Sequence, residues 1–165
     1  MVCHWERVQV DFVSNMKKHE VLKLSKLLIT IGIIFYGVAV PILEVNPTHV
    51  FDMTWTSHAR LHEVWQLTTN SSIAVYCFWL VWVRGKTRLP GLLGLLVTGG
   101  FLFAYVIRSG YGGSMVLSDG SEKTVFGANL GLVGFGLVVI LTIIAMIIDN
   151  RKAITTRGDT RSDET

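Results

Sequence analysis

Four apolar runs, each long enough to cross a lipid bilayer, constrain this chain more than any other feature. They occupy residues 27–43 (LLITIGIIFYGVAVPIL), 61–83, 89–107 and 125–148. Each holds about 17 to 24 residues, which at about 1.5 Å per residue spans a hydrocarbon core of about 30 Å. Lipid cannot hydrogen-bond a free peptide group, so each run is expected as a helix. With flanking turns included, the expected spans are 24–43, 58–83, 89–108 and 125–148. The expected fold is all-α: a four-transmembrane-helix bundle forming one membrane domain over residues 1–150. A polar tail, 151–165, has no apolar period and is expected to be disordered. The segment before the first run has apolar residues without a clean helical stripe and is expected along the membrane surface. The first run is expected to stay in the mature chain: a long basic region precedes it and no small-residue cleavage site follows. Pro41 lies near its far end, where a helix break costs little.

Composition agrees. Half of the 165 residues are hydrophobic and 16% are charged, against about 25% charged in an ordinary soluble domain. The net charge of +3 does not indicate a nucleic-acid partner, because the basic residues sit at the ends of apolar runs. Arg7, Lys17, Lys18, Lys23 and Lys26 precede the first run, and only Arg60 lies between the first and second. Arg84, Lys86 and Arg88 sit in the next turn, Arg108 and Lys123 in the following loop, and Arg151, Lys152, Arg157 and Arg161 in the tail. The alternation places both termini in the cytoplasm by the positive-inside rule. The lack of targeting extensions suits a bacterial inner (cell) membrane. Cys3 and Cys77 are far apart and form no Cys-x-x-Cys, so neither a disulfide framework nor a cysteine zinc site is expected.

The stretch TSHARLHEVWQLTTN, 56–70, puts many hydrogen-bonding groups at the front of the second run. At 100° per residue, His58, His62, Trp65, Gln66, Thr69, Ser72 and Tyr76 share one helix face. A polar stripe on a membrane helix is expected to face the bundle interior or a wet cavity. The bland alternative is that Thr69, Asn70, Ser72 and Tyr76 bond neighbouring helices. The expected pocket opens outward and is lined by His49, Trp55, Trp65, Gln66, Thr69, Tyr76 and Arg108, with His58, His62 and Glu63 as the groups for catalysis.

Two chemistries suit those residues. His58 and His62 are one turn apart and can share a metal such as iron or zinc, with Glu44, His49, Asp52 or Glu63 as further ligands. Without a metal, a histidine beside Glu44, Glu63 or Glu122 can move a proton on a lipophilic substrate. Arg108 at the outer end of the third run can pair with Glu44, Glu63 or Asp52, hold an anionic head group, or snorkel to the interface. SGYGGS, 109–114, lacks the strand and lysine of a phosphate loop. Gly127 and Gly131 form a G-x-x-x-G suited to helix packing.

Thr48, His49, Trp55, His58, Ala59, Arg60 and His62 form a pattern, Thr-His, then Trp, then His-Ala-Arg-x-His. It resembles the signature of small four-span membrane proteins of unknown function. Members of that family often carry prolines where Thr56 and Ser57 stand here. The resemblance covers about 20 residues, and it implies a topology without an activity. The layout is also similar, by analogy alone, to the emopamil-binding sterol isomerase superfamily.

Three functions follow as expectations. One is an integral membrane protein that binds or modifies a lipophilic small molecule or membrane lipid. The second is a metal-dependent membrane enzyme using the His-x-x-x-His helix. The third is an accessory subunit of a larger membrane complex, or a homo-oligomer, packed through glycine faces.

Overall fold

A computed structural model describes residues 20–162 of the chain, with side chains to residue 150. The expectation for the N-terminal segment falls largely outside the described residues. The described chain is mostly helical. Helix α1 is Glu20–Glu44, α2 is Ser57–Trp82, α3 is Arg88–Ile107 and α4 is Leu130–Ser162. The far end of α4 enters the polar tail, whose side chains lie outside the described residues. Among the described residues three stretches are long and apolar enough to cross a membrane: Glu20–Glu44, Arg88–Gly110 and Leu130–Asn150, with mean hydropathies of 2.2, 1.9 and 2.8. Helix α2 is as long, at 26 residues, but the run from Gln66 to Ser72 keeps it more polar.

The bundle is knit at a close crossing of α1 and α2. Pro41 has no N–H to give the carbonyl four residues back, which belongs to Gly37, and its ring crowds that carbonyl. The helix answers by widening into a π turn at Phe35–Ala39 rather than breaking. Ser71 of α2 donates its hydroxyl to the Gly37 carbonyl at 3.0 Å. Gly37 is required there, because a Cβ would overlap the Cβ of Ala74. Around this crossing Ile29, Ile33 and Tyr36 pack on Ala74, Cys77 and Val81, with Ala145 of α4 completing the core. Hydroxyls inside the bundle bond back to their own helices: Thr98 to the Gly94 carbonyl at 2.7 Å and Thr142 to the Val138 carbonyl at 2.8 Å.

One end of the bundle is tied tightly. The turn from α2 to α3 is short, Thr87 donates to Asp149 at 2.8 Å and Arg88 to Asn150 at 2.6 Å. The other end carries the two long connections, 45–56 and 108–129. The second contains a hairpin, β1 (Thr124–Val125) antiparallel to β2 (Ala128–Asn129). Phe126 and Gly127 both have positive φ, 50° and 78°, the requirement of a type I′ turn. The hairpin corrects two sequence expectations. The fourth helix begins at Leu130 rather than at Val125, and Gly127 is a turn residue that shares no helix face with Gly131.

Candidate functional site

Between the two long connections and the ends of all four helices lies a cavity of about 420 Å³, within the size range of small-molecule sites. Its lining is divided. Phe35, Leu43, Phe101, Met115, Leu130 and Phe135 form an apolar wall, and Glu44, Thr48, His49, Glu63, Gln66 and Lys123 form a polar one. The apolar wall is held by aromatic contacts: Phe101 stacks on Phe135 at 4.1 Å between centroids, and Phe35 meets Phe135 edge-on at 5.1 Å. Gly131 and Gly134 leave room on α4. The π turn of α1 lies beside the cavity, with Phe35 and Val40 among its lining.

The connections fold through a repeated local device. Asn46, Asp52 and Asp119 each use Oδ1 to accept both the backbone N–H and the hydroxyl of the residue two positions on. Distances are 2.7 and 2.7 Å to Thr48, 2.8 and 2.6 Å to Thr54, and 2.9 and 2.6 Å to Ser121. These Asx turns set the chain direction locally, without a sheet or helix. Asp52 is 3% exposed, and its other oxygen has no direct partner. The nearby Ser118 hydroxyl and the Thr54 donors hold its carboxyl below the usual carboxylate range.

The first of these turns aims His49. Asn46 gives its Nδ2 hydrogen to the Leu43 carbonyl, so its Oδ1 faces Thr48. The Thr48 hydroxyl spends its one proton on that oxygen and can only accept from His49 Nδ1, 3.0 Å away. The Nδ1 position is therefore protonated, and Nε2 points at Glu44 Oε2, 2.8 Å away. Trp55 packs edge-on against the ring, 5.9 Å between centroids. Burial pushes the His49 imidazole below its ordinary range, with Glu63 and Asp52 opposing and Lys123 assisting.

Of the residues singled out in the sequence, Glu44, His49, Trp55, Glu63 and Gln66 line this cavity. The rest of the α2 stripe does not. His58, His62, Trp65, Thr69, Ser72 and Tyr76 are exposed, Trp65 at 65% and Tyr76 at 50%. The stripe turns away from the bundle because Leu67, Ala74 and Val81 occupy the opposite, buried face of α2. Polarity alone points the stripe inward. The small and apolar residues that fit against α1 decide the rotation instead.

His58 and His62 do meet, Nε2 to Nε2 at 3.0 Å, and His62 lies against Trp65 at 5.7 Å. Among the described residues no group of three or more His, Cys, Asp and Glu side chains is placed to hold a metal ion. The pair thus gains no third ligand from Glu44, His49, Asp52 or Glu63. Arg108 reaches none of its expected carboxylate partners. It lies over the Tyr105 ring at 4.0 Å and donates to the Tyr105 carbonyl at 2.8 Å.

Sequence reasoning passed over the apolar wall, Lys123 and the structural role of Asn46. The wall residues come from three helices and a loop, and nothing local in sequence joins them. The Asx-x-Thr/Ser pattern at 46, 52 and 119 is the local signal that marks the turns of the polar wall. No family model matches the chain, and neither does any curated protein or solved structure.

Proposed function

We propose that this chain is a four-span membrane protein, both termini cytoplasmic, that binds an amphiphilic small molecule at the outer ends of its helices. The carrying observation is the divided lining of the cavity, with stacked phenylalanines on one side and Glu44, His49 and Glu63 on the other. An apolar tail among Phe35, Phe101 and Phe135 leaves a polar end within reach of the carboxylates and the imidazole. The spanning of α2 is supported by its 26 residues and by the basic turns that alternate along the chain. That charge pattern also favours a membrane with the cytoplasm on one face, such as a bacterial inner membrane.

The test is native mass spectrometry of protein released from detergent, wild type beside Gly131→Leu. A Cβ at Gly131 already meets the Phe101 ring and Asn129 at 3.2 Å, so leucine fills the cavity. Retention of an added single-chain alcohol, dodecan-1-ol, by wild type and its loss in Gly131→Leu is the expected result. Equal retention by both would remove the cavity as the binding site.

A second reading is favoured by one observation: the stripe His62, Thr69 and Ser72 lies on an exposed face of a helix in a membrane protein. Hydrocarbon is a poor neighbour for such groups. Packing of α2 against another polypeptide, as in an accessory subunit or homo-oligomer, gives them partners.

A further inference from the structure

We infer that Glu44 and His49 hold one proton between them and pass it to a weakly basic head group of the amphiphile bound in this cavity. The inference rests on the cavity reading above and adds the chemical class of the ligand and the role of the pair. Its basis is the hydrogen-bond chain from Leu43 to Glu44. Asn46 is oriented by the Leu43 carbonyl, Thr48 is oriented by Asn46, and His49 Nδ1–H is therefore committed to the Thr48 hydroxyl. A neutral ring so arranged has a bare Nε2, and Glu44 Oε2 is 2.8 Å from it. Two lone pairs cannot share that distance favourably. A proton must lie between them, carried by the Glu44 carboxyl or, equivalently for the count, by an imidazolium facing a carboxylate. The depressed proton affinity of the half-buried His49 ring places the charge-free arrangement first.

The surroundings fit a proton that leaves toward the cavity. Glu63 lines the same polar wall and makes no ion pair among the described residues. The charged groups facing the pair are Lys123 from the hairpin connection, Glu63 from α2 and Asp52 from the first connection. The step balances without a further reactant. The lone pair of the ligand nitrogen takes the shared proton. Glu44 becomes a carboxylate, His49 stays neutral with Nδ1–H on Thr48, and the new cation is flanked by Glu44 and Glu63. An amphiphile of this kind crosses the apolar wall uncharged and is held as a cation.

The experiment uses isotope-labelled N-dodecylimidazole bound to the full-length protein, read by nitrogen NMR at about pH 8, above the ordinary imidazole range. Dodecan-1-ol serves as the matched ligand without a base. The expected result is a ratio of protonated to neutral probe at least about tenfold higher when bound to wild type than when free, one pKa unit. Glu44→Gln, which keeps the shape and loses the exchangeable proton, should abolish the rise while still binding dodecan-1-ol. His49→Gln is the second variant and should reduce it, because Glu44 then lacks the partner that shares its proton. A neutral bound probe, or equal protonation in wild type and both variants, overturns the proton assignment while the cavity stands. Failure of both ligands to bind wild type overturns the cavity reading and this inference with it.

Discussion

Ser71 on α2 donates its hydroxyl to the carbonyl of Gly37 on α1 over 3.0 Å, at the position where Pro41 removes the usual backbone donor. The two helices therefore complete one another's backbone bonding. Ser71→Ala is expected to destabilise the protein by about 1–2 kcal/mol, the cost of leaving a buried acceptor unmet. The cost should shrink in a Pro41→Ala background, where residue 41 regains an N–H. Thermal unfolding in detergent of the four proteins of this cycle gives the coupling. Purely additive effects would show that Ser71 does not compensate for Pro41.

Acidification should destabilise the fold in two windows. The His49 pKa is lowered from its ordinary 6.5 in the folded chain. As pH falls below about 6.5 the unfolded chain therefore binds a proton that the folded chain resists. Stability is full above that value and drops as pH descends toward the folded pKa. Asp52 is lowered from its ordinary 3.8. Its contribution is present above that value and is lost as pH falls through the folded pKa. Unfolding midpoints measured from neutral to acid pH should show both declines. His49→Gln should flatten the first and Asp52→Asn the second, and a profile unchanged in both variants would contradict these assignments.

The structure separates two sets of histidines, and ligand retention distinguishes them. His58→Ala with His62→Ala should leave dodecan-1-ol binding within about twofold of wild type, since both rings lie outside the cavity and exposed substitutions rarely perturb a distant site. Trp55→Ala should weaken it severalfold by opening the packing against His49. Strong loss in the double histidine variant would instead return the function to the outer face of α2.

How far the sequence reveals this molecule depends on the range of the interaction. The helices at 57–82 and 88–107 are legible to within a residue or two, because apolar length and flanking arginines are local signals. The start of α4 is not, because Phe126 and Gly127 form an exposed turn inside an apolar stretch, and hydropathy cannot tell a hairpin from a helix end. The same limit applies to the site. His49, Trp55, Glu63 and Gln66 stand out by chemistry, whereas the rotation of α2 is set by Ala74 meeting Gly37, a contact 37 residues distant in sequence. Polarity points His58 and His62 inward; shape turns them out.

The proposed four-span arrangement predicts which turns face which side. Gly85 lies in the tight turn between α2 and α3, and Gly120 in the long 108–129 connection; a Cβ meets nothing at either, though both have positive φ. Cysteine at Gly120 should react with a membrane-impermeant maleimide in intact cells, and cysteine at Gly85 only after permeabilisation. Buried Cys77 contributes little background, and Cys3 is replaced by serine. Equal labelling of both positions in intact cells would break the topology.

The exposed stripe of α2 makes the final prediction, and it decides between lipid and protein as the neighbour of that helix. Thr69 and Ser72 lie on the exposed side, and Ser72 already donates to the Thr68 carbonyl at 2.8 Å, so lipid costs it less than its composition implies. Thr69 has more to gain from a partner, which in membranes is worth about 0.6 kcal/mol per hydrogen bond and up to about 2. With cysteine at position 69 and both native cysteines replaced, oxidation in native membranes should yield a crosslinked species if a copy of this chain covers the stripe. If a different subunit covers it, a spin label at the same position should be shielded from dissolved oxygen in native membranes and accessible in detergent. High oxygen accessibility in both settings, with no crosslink, would leave α2 facing lipid and remove the subunit reading.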